Sequence, residues 1–108
     1  MRMMPGAIVI LSTAPAPLAE TIAQKLVTRR LAACVNMTEV RSVYRWEGEI
    51  CDEPEMLLII KTTTENEKTV LAAIRELHTY AVPEMIVLPI TGGYPPYLAW
   101  IGQETGSG

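Results

Sequence analysis

The chain has no phenylalanine, one histidine and two cysteines, and its only aspartate is Asp52. Each shortage removes a class of explanation. Without phenylalanine the core rests on Leu, Ile, Val, Ala and Met, a lean supply of large side chains for a small domain with an unfavourable surface-to-volume ratio. Burial against a second copy of the chain is therefore expected. His78 and Asp52 fall on different elements, so a Ser-His-Asp triad is not expected. Cys34 and Cys51 are too few and too widely spaced for a disulfide scaffold or a Cys-x-x-Cys zinc site; they read as reduced, buried thiols of a cytoplasmic protein.

Positive charge is scarce as well. Nine bases stand against twelve acids, a net charge of −3, and the one adjacent basic pair is Arg29-Arg30. A surface that tracks phosphates needs clustered Lys and Arg, so nucleic acid is excluded as a partner. The pair reads instead as a complement to the negative end of its own helix. No apolar run approaches the ~20 residues of a membrane helix, and "MRMMPG" lacks the apolar core of a signal peptide. A soluble, cytoplasmic protein with no membrane partner is expected. No phosphate-cradling glycine loop occurs, and Gly92-Gly93 reads as a turn.

What is present is the composition of a folded protein, 49% hydrophobic and 19% charged. One domain over residues 1–108 is expected, with flexible ends at 1–5 and 105–108. "AIVILST" (7–13) is a short β-branched run and reads as a buried strand. Leu18, Ile22 and Leu26, with Ala19, Ala23 and Val27, recur at helical spacing, and Pro15 and Pro17 are tolerated in that helix's first turn. Residues 32–50 read as a long strand in which Val40, Ser42, Tyr44 and Trp46 share one face. Glu47-Gly48 marks a hairpin, and the return strand runs from Ile50 to Thr63 with Pro54 at an edge or bulge. Both arms exceed the usual ~5–6 residues, so part of the hairpin should project and seek a partner surface for Tyr44 and Trp46.

Thr64-x-x-Glu67 reads as a capping box for a second helix whose stripe is Val70, Leu71, Ile74 and Leu77. "MIVLPI" (85–90) reads as a last strand, with Pro89 pointing to an edge, and "YPPYLAWIGQ" as a short C-terminal helix. The order β-α-β-β-α-β plus a helix predicts a ferredoxin-like α+β sandwich, with both connecting helices on one face of an antiparallel sheet. The other face carries too many apolar residues to stay wet, which again argues for self-association.

Candidate chemistry is sparse. The carboxylate pairs Glu47/Glu49 and Glu53/Glu55 read as the solvated end of the ribbon. His78, near the end of the second helix, has two readings. One is a partly buried imidazole favoured by the helix's negative end. The other is a metal or anion contact shared with Tyr80, Glu84 or a neighbouring chain, and copper would need soft partners beside a single imidazole.

Several blocks in fixed order, "LSTAP", "RRLAACVN", "VYRWEGEI", "IIKTT", "LHTYAVPEMIVLPI" and "YLAWI", resemble the CutA family of divalent-cation tolerance proteins from about Ile8 to Ile101. The resemblance implies a PII-like homotrimer whose hairpins pair between neighbours, a role in tolerance of divalent metal ions, and no established reaction. No cofactor is obligatory; copper or another divalent cation is the implied ligand. The resemblance also implies copper ligands at three positions, occupied here by Ser12, Leu77 and His78, so His78 alone keeps a metal-binding side chain. A PII-like alternative places Tyr44, Trp46, Lys61, His78, Tyr80 and Glu84 around an intersubunit cleft. There Lys61 and an imidazolium would suit a small anion. A purely structural trimeric scaffold is the third reading.

Overall fold

The computed structural model of the chain describes residues 6–106. The expected loose segment 1–5, and Ser107 and Gly108 of the expected tail, lie outside them. Strand β1 spans Ala7–Ala14 and alternates strictly between half-buried and buried residues. Helix α1 (Ala16–Thr28) follows with Pro15 as its cap residue and Pro17 in its first turn, where a missing backbone N–H costs nothing. Ala19, Ile22, Ala23 and Leu26 are its buried residues, while Val27, expected on that stripe, is 43% exposed.

The end of α1 departs from expectation. Arg30 adopts the left-handed conformation, φ 59°, a position usually given to glycine. Its guanidinium does not serve its own helix. Nε and Nη2 donate to the carbonyls of Glu104 and Gln103 at 3.1 and 2.8 Å, and the backbone carbonyl of Arg30 accepts from Gly106 N–H at 2.7 Å. Arg30 thereby caps the end of the last helix, and this web offsets the ~1–3 kcal/mol that such a backbone costs a residue with a Cβ.

Strands β2 (Cys34–Trp46) and β3 (Glu49–Thr63) form the hairpin. Glu47 (φ 49°) and Gly48 (φ 79°) are both left-handed, the type I′ geometry whose twist matches the flanking strands. β3 pairs with β1 only from Met56 onward, so residues 49–55 and their partners 40–46 stand out as a two-stranded ribbon. Pro54 lies in that ribbon, where one side of β3 is open. The molecule measures 52 × 25 × 21 Å, with a radius of gyration of 14.7 Å against about 13 Å for a compact chain of this length.

The capping box is not formed. Thr63 is still extended, Thr64–Asn66 make one 3-10 turn, and helix α2 runs Glu67–Leu77 with Asn66 at its start. Asn66 Nδ2 donates to Thr63 Oγ1 at 2.9 Å, and no side chain caps the start of α2. Strand β4 (Ile86–Pro89) and helix α3 (Pro95–Glu104) complete the fold. The sheet order is β2-β3-β1-β4 with every neighbour antiparallel, and Pro89 lies on an edge strand as expected. Thr105 is buried, its hydroxyl donating to Ile101 and Gly102 carbonyls at 3.0 and 3.2 Å. The tail expected from residue 105 is therefore packed through Gly106.

The two faces of the sheet differ. Ile8, Ile10, Leu58 and Ile60 pack with Ile22 and Leu26 of α1 and Val70 and Ile74 of α2 into one buried core. Cross-strand register puts Val9, Leu11, Leu57, Ile59, Ile86 and Leu88 on the opposite face. There the first four are half-buried, while Ile86 and Leu88 are 46% and 44% exposed.

Candidate functional site

The site is built where the end of α2 meets the base of the ribbon. His78 leaves the helix in an extended conformation (φ −78°, ψ 144°), while its own N–H closes the last turn on Ile74 O at 2.8 Å. This sends the chain back beside β1 and β3. Arg75 Nη1 holds the following loop by donating to Ala81 O at 3.0 Å, and Pro83 is buried.

His78 is itself buried, and both of its ring nitrogens are engaged. The N–H of Tyr80 donates to Nδ1 at 3.1 Å, and Nε2 lies 2.8 Å from the carbonyl of Thr13. A backbone N–H only donates and a carbonyl only accepts, so Nδ1 is bare and Nε2 carries the proton. A metal ion could take an imidazole lone pair only by displacing the Tyr80 N–H or breaking the bond to Thr13. The ring packs on Tyr80 with centroids 4.5 Å apart.

Tyr80 passes the connection to the ribbon, its hydroxyl donating to Glu55 Oε2 at 2.7 Å. Burial, and then this bond to a carboxylate, push the phenol up to about 12. Tyr44 donates in the same way to Glu53, and that bond raises its phenol well above the ordinary value. Tyr44, Trp46, Glu47, Tyr80, Ala81 and Val82 together line an open groove of about 360 Å³.

Of the six cleft candidates, Tyr44, Trp46 and Tyr80 are brought together on this groove and His78 stands behind Tyr80. Lys61 is not. It lies ten residues along β3 from Cys51, the partner of Tyr44, a separation of about 33 Å. Its ammonium donates to Asn36 Oδ1. Glu84 is exposed in the loop and is not part of the groove wall.

Ser12 is fully buried on the helix side of β1 and its hydroxyl has no partner among the described residues. Leu77 packs partly against the core. Among the described residues no group of three or more His, Cys, Asp or Glu is placed to hold a metal ion. Ser12, Leu77 and His78, the positions the resemblance implied for copper, include one imidazole and no thiol.

The carboxylates read as a solvated ribbon end include the residues that sequence reasoning missed. Glu55 is only 8% exposed and bonded to Tyr80, and Glu53 holds Tyr44. The turn at Glu47-Gly48 fixes a register in which Cys51 opposes Tyr44 and Glu53 opposes Ser42, so Glu53 shares the Tyr44 face. That signal was available. Nothing local joins Glu55 to Tyr80.

Comparison with known proteins follows the same lines. Residues 8–104 match the family model of the CutA1 divalent ion tolerance protein. The divalent-cation tolerance protein CutA of Thermus thermophilus is 45% identical over 100 residues, covering 91% of this chain and 97% of that protein. A PII-like protein CutA from Nostoc superposes with a TM-score of 0.89 at 34% identity, covering 92% of this chain and 97% of that one. A CutA from Archaeoglobus fulgidus, described as a periplasmic divalent cation tolerance protein, superposes at 0.88 with 35% identity, covering 91% and 97%.

Proposed function

The chain belongs to the CutA1 family of divalent ion tolerance proteins, and from that premise we propose that it serves divalent-cation tolerance as a PII-like homotrimer with ligand clefts between subunits. The observation that carries this reading is the ribbon. Among the described residues, 40–46 and 49–55 have no further strand beside them, and they present Val43, Tyr44, Trp46 and Ile50 at 37–64% exposure. Exposed apolar side chains on a long two-stranded arm call for a covering surface. The apolar face of Leu11, Ile59, Ile86 and Leu88 is a second surface needing cover. Three copies closing on each other would bury both, and light scattering should return three times the 11.9 kDa chain mass. A monomer at micromolar concentration would end this reading.

Copper enters the proposal only weakly. His78 is the one imidazole, and both its nitrogens already serve the fold. Copper titration should give His78→Ala a lower affinity than the parent; equal binding would remove His78 from the account. Within a single chain Lys61 lies far from the groove and the His78 ring is engaged by Thr13 and Tyr80, so an anionic ligand would depend on a lysine from a neighbouring subunit. The family is defined by ion tolerance rather than by a reaction, and no catalysis is assigned. We place the protein in the cytoplasm on its two free thiols, Cys34 and Cys51, although the Archaeoglobus relative is described as periplasmic. Among the described residues no helix is long and apolar enough to cross a membrane.

A further inference from the structure

The groove at the base of the ribbon has a chemistry opposite to that of an anion site. Three aromatic side chains, Tyr44, Trp46 and Tyr80, line it, and its one ionisable non-aromatic side chain is the acid Glu47. No lysine or arginine is part of the wall. Two more carboxylates stand behind the rings, Glu53 holding the Tyr44 hydroxyl and Glu55 holding that of Tyr80 at 2.7 Å. Glu55 is 8% exposed and has no cationic partner among the described residues, where the one ion pair is Arg41–Asp52 on the other face of the ribbon. A carboxylate with a single phenol donor still has accepting capacity to spare. A phenol whose hydroxyl donates a hydrogen bond to a carboxylate also has a more electron-rich ring, and such rings attract cations.

We propose that this groove binds a small organic cation, an alkylammonium or quaternary ammonium group seated against the Tyr44, Trp46 and Tyr80 rings. Glu47, Glu53 and Glu55 supply the counter-charge. A volume of about 360 Å³ suits such a group. A hard metal ion is a poorer occupant, because it needs several converging oxygen ligands. Two of the carboxylates already each hold a tyrosine. The assignment deepens the cleft reading and rests on it in one respect: a neighbouring subunit would close the groove's open side.

The test compares choline with 3,3-dimethyl-1-butanol, its neutral isostere, by calorimetric titration of the full chain, with light scattering at the same concentration. Choline should bind saturably and the isostere about tenfold more weakly. Glu47→Gln changes only an exposed turn residue and should weaken choline about threefold without altering the isostere. Trp46→Leu, which keeps an apolar side chain on the ribbon, should weaken choline by about tenfold. A trimer that binds choline no better than the isostere overturns the cation assignment and leaves the trimer standing. A monomer that still prefers choline overturns the trimer and leaves the assignment. Unchanged choline affinity in both variants would show that the cation binds elsewhere.

Discussion

The helix-covered half of the sheet and the ribbon share two strands, β2 and β3, yet they are stabilised in opposite ways. In the body, Leu58 and Ile60 of β3 are fully buried beneath α1 and α2. In the ribbon, the same strand meets its neighbours through polar pairs: Tyr44 with Glu53, Tyr80 with Glu55, and Arg41 with Asp52 at 2.7 Å. The core on the helix side of the body is complete within one chain. The ribbon has little apolar burial of its own, and the exposed Arg41–Asp52 pair contributes little net stability. One strand thus serves first as a projecting arm and then as core, with Met56 as the boundary where pairing with β1 begins.

The largest test of this contrast sets one residue from each region against the other. Ile60→Ala should cost about 2–5 kcal/mol and lower the melting temperature at every protein concentration. Trp46→Ala, on the scale of about 3–5 kcal/mol for large aromatic deletions, should instead act on assembly. Its circular dichroism should stay native while its melting becomes more dependent on concentration. If Trp46→Ala remains trimeric with unchanged melting, the ribbon is not an interface.

A smaller effect is expected where the body is tied to its last helix. Arg30→Ala loses two charge-assisted bonds and keeps a Cβ at φ 59°, a loss of about 1.5–3 kcal/mol. Arg30→Gly loses the same bonds but relieves the backbone, so it should be the milder of the two. Denaturant midpoints of the pair give the order directly, and the reverse order would mean that the left-handed backbone carries no strain here.

The smallest effect lies at the junction of the two regions. The Tyr80 phenol, raised to about 12, keeps its proton in the folded chain where the unfolded chain, near 10, has begun to lose it. The folded state then holds more protons, so stability present below about pH 10 declines as pH climbs towards about 12. Tyr80→Phe should flatten that alkaline decline in thermal melts recorded across pH 9–12; an equally steep decline would mean another group governs it.

Much of the fold was legible because it is written in local periodicity. The stripe through Ile22 and Leu26, the alternation of β1 and the turn at Glu47-Gly48 each depend on residues a few positions apart. Thr64 misled for a local reason as well: its spacing to Glu67 is right, but the 3-10 turn moves the helix start beyond it. The candidate site was legible only in part. Tyr44 and Trp46 follow from strand alternation, whereas the bonds of Tyr80 to Glu55 and of His78 to Thr13 join residues 25 and 65 positions apart. Lys61 entered the cleft through family resemblance, and strand length alone removes it from the same chain's groove. Arg30 was assigned to the wrong helix because its partners lie 73 and 74 positions away.

That last separation bears on how the chain is made. The corner at Arg30 leaves the ribosome early, and its own neighbours already close it: Arg30 N–H donates to Val27 O at 3.0 Å and Leu31 N–H to Leu26 O at 2.9 Å. The carbonyls that complete it belong to Gln103 and Glu104, and the N–H that meets its carbonyl belongs to Gly106. During synthesis it is therefore the tie between this corner and the last helix that waits for nearly the last residues to arrive. Trimming the chain from 103 onward would remove the carbonyls and the N–H that tie this early corner to the end of the molecule.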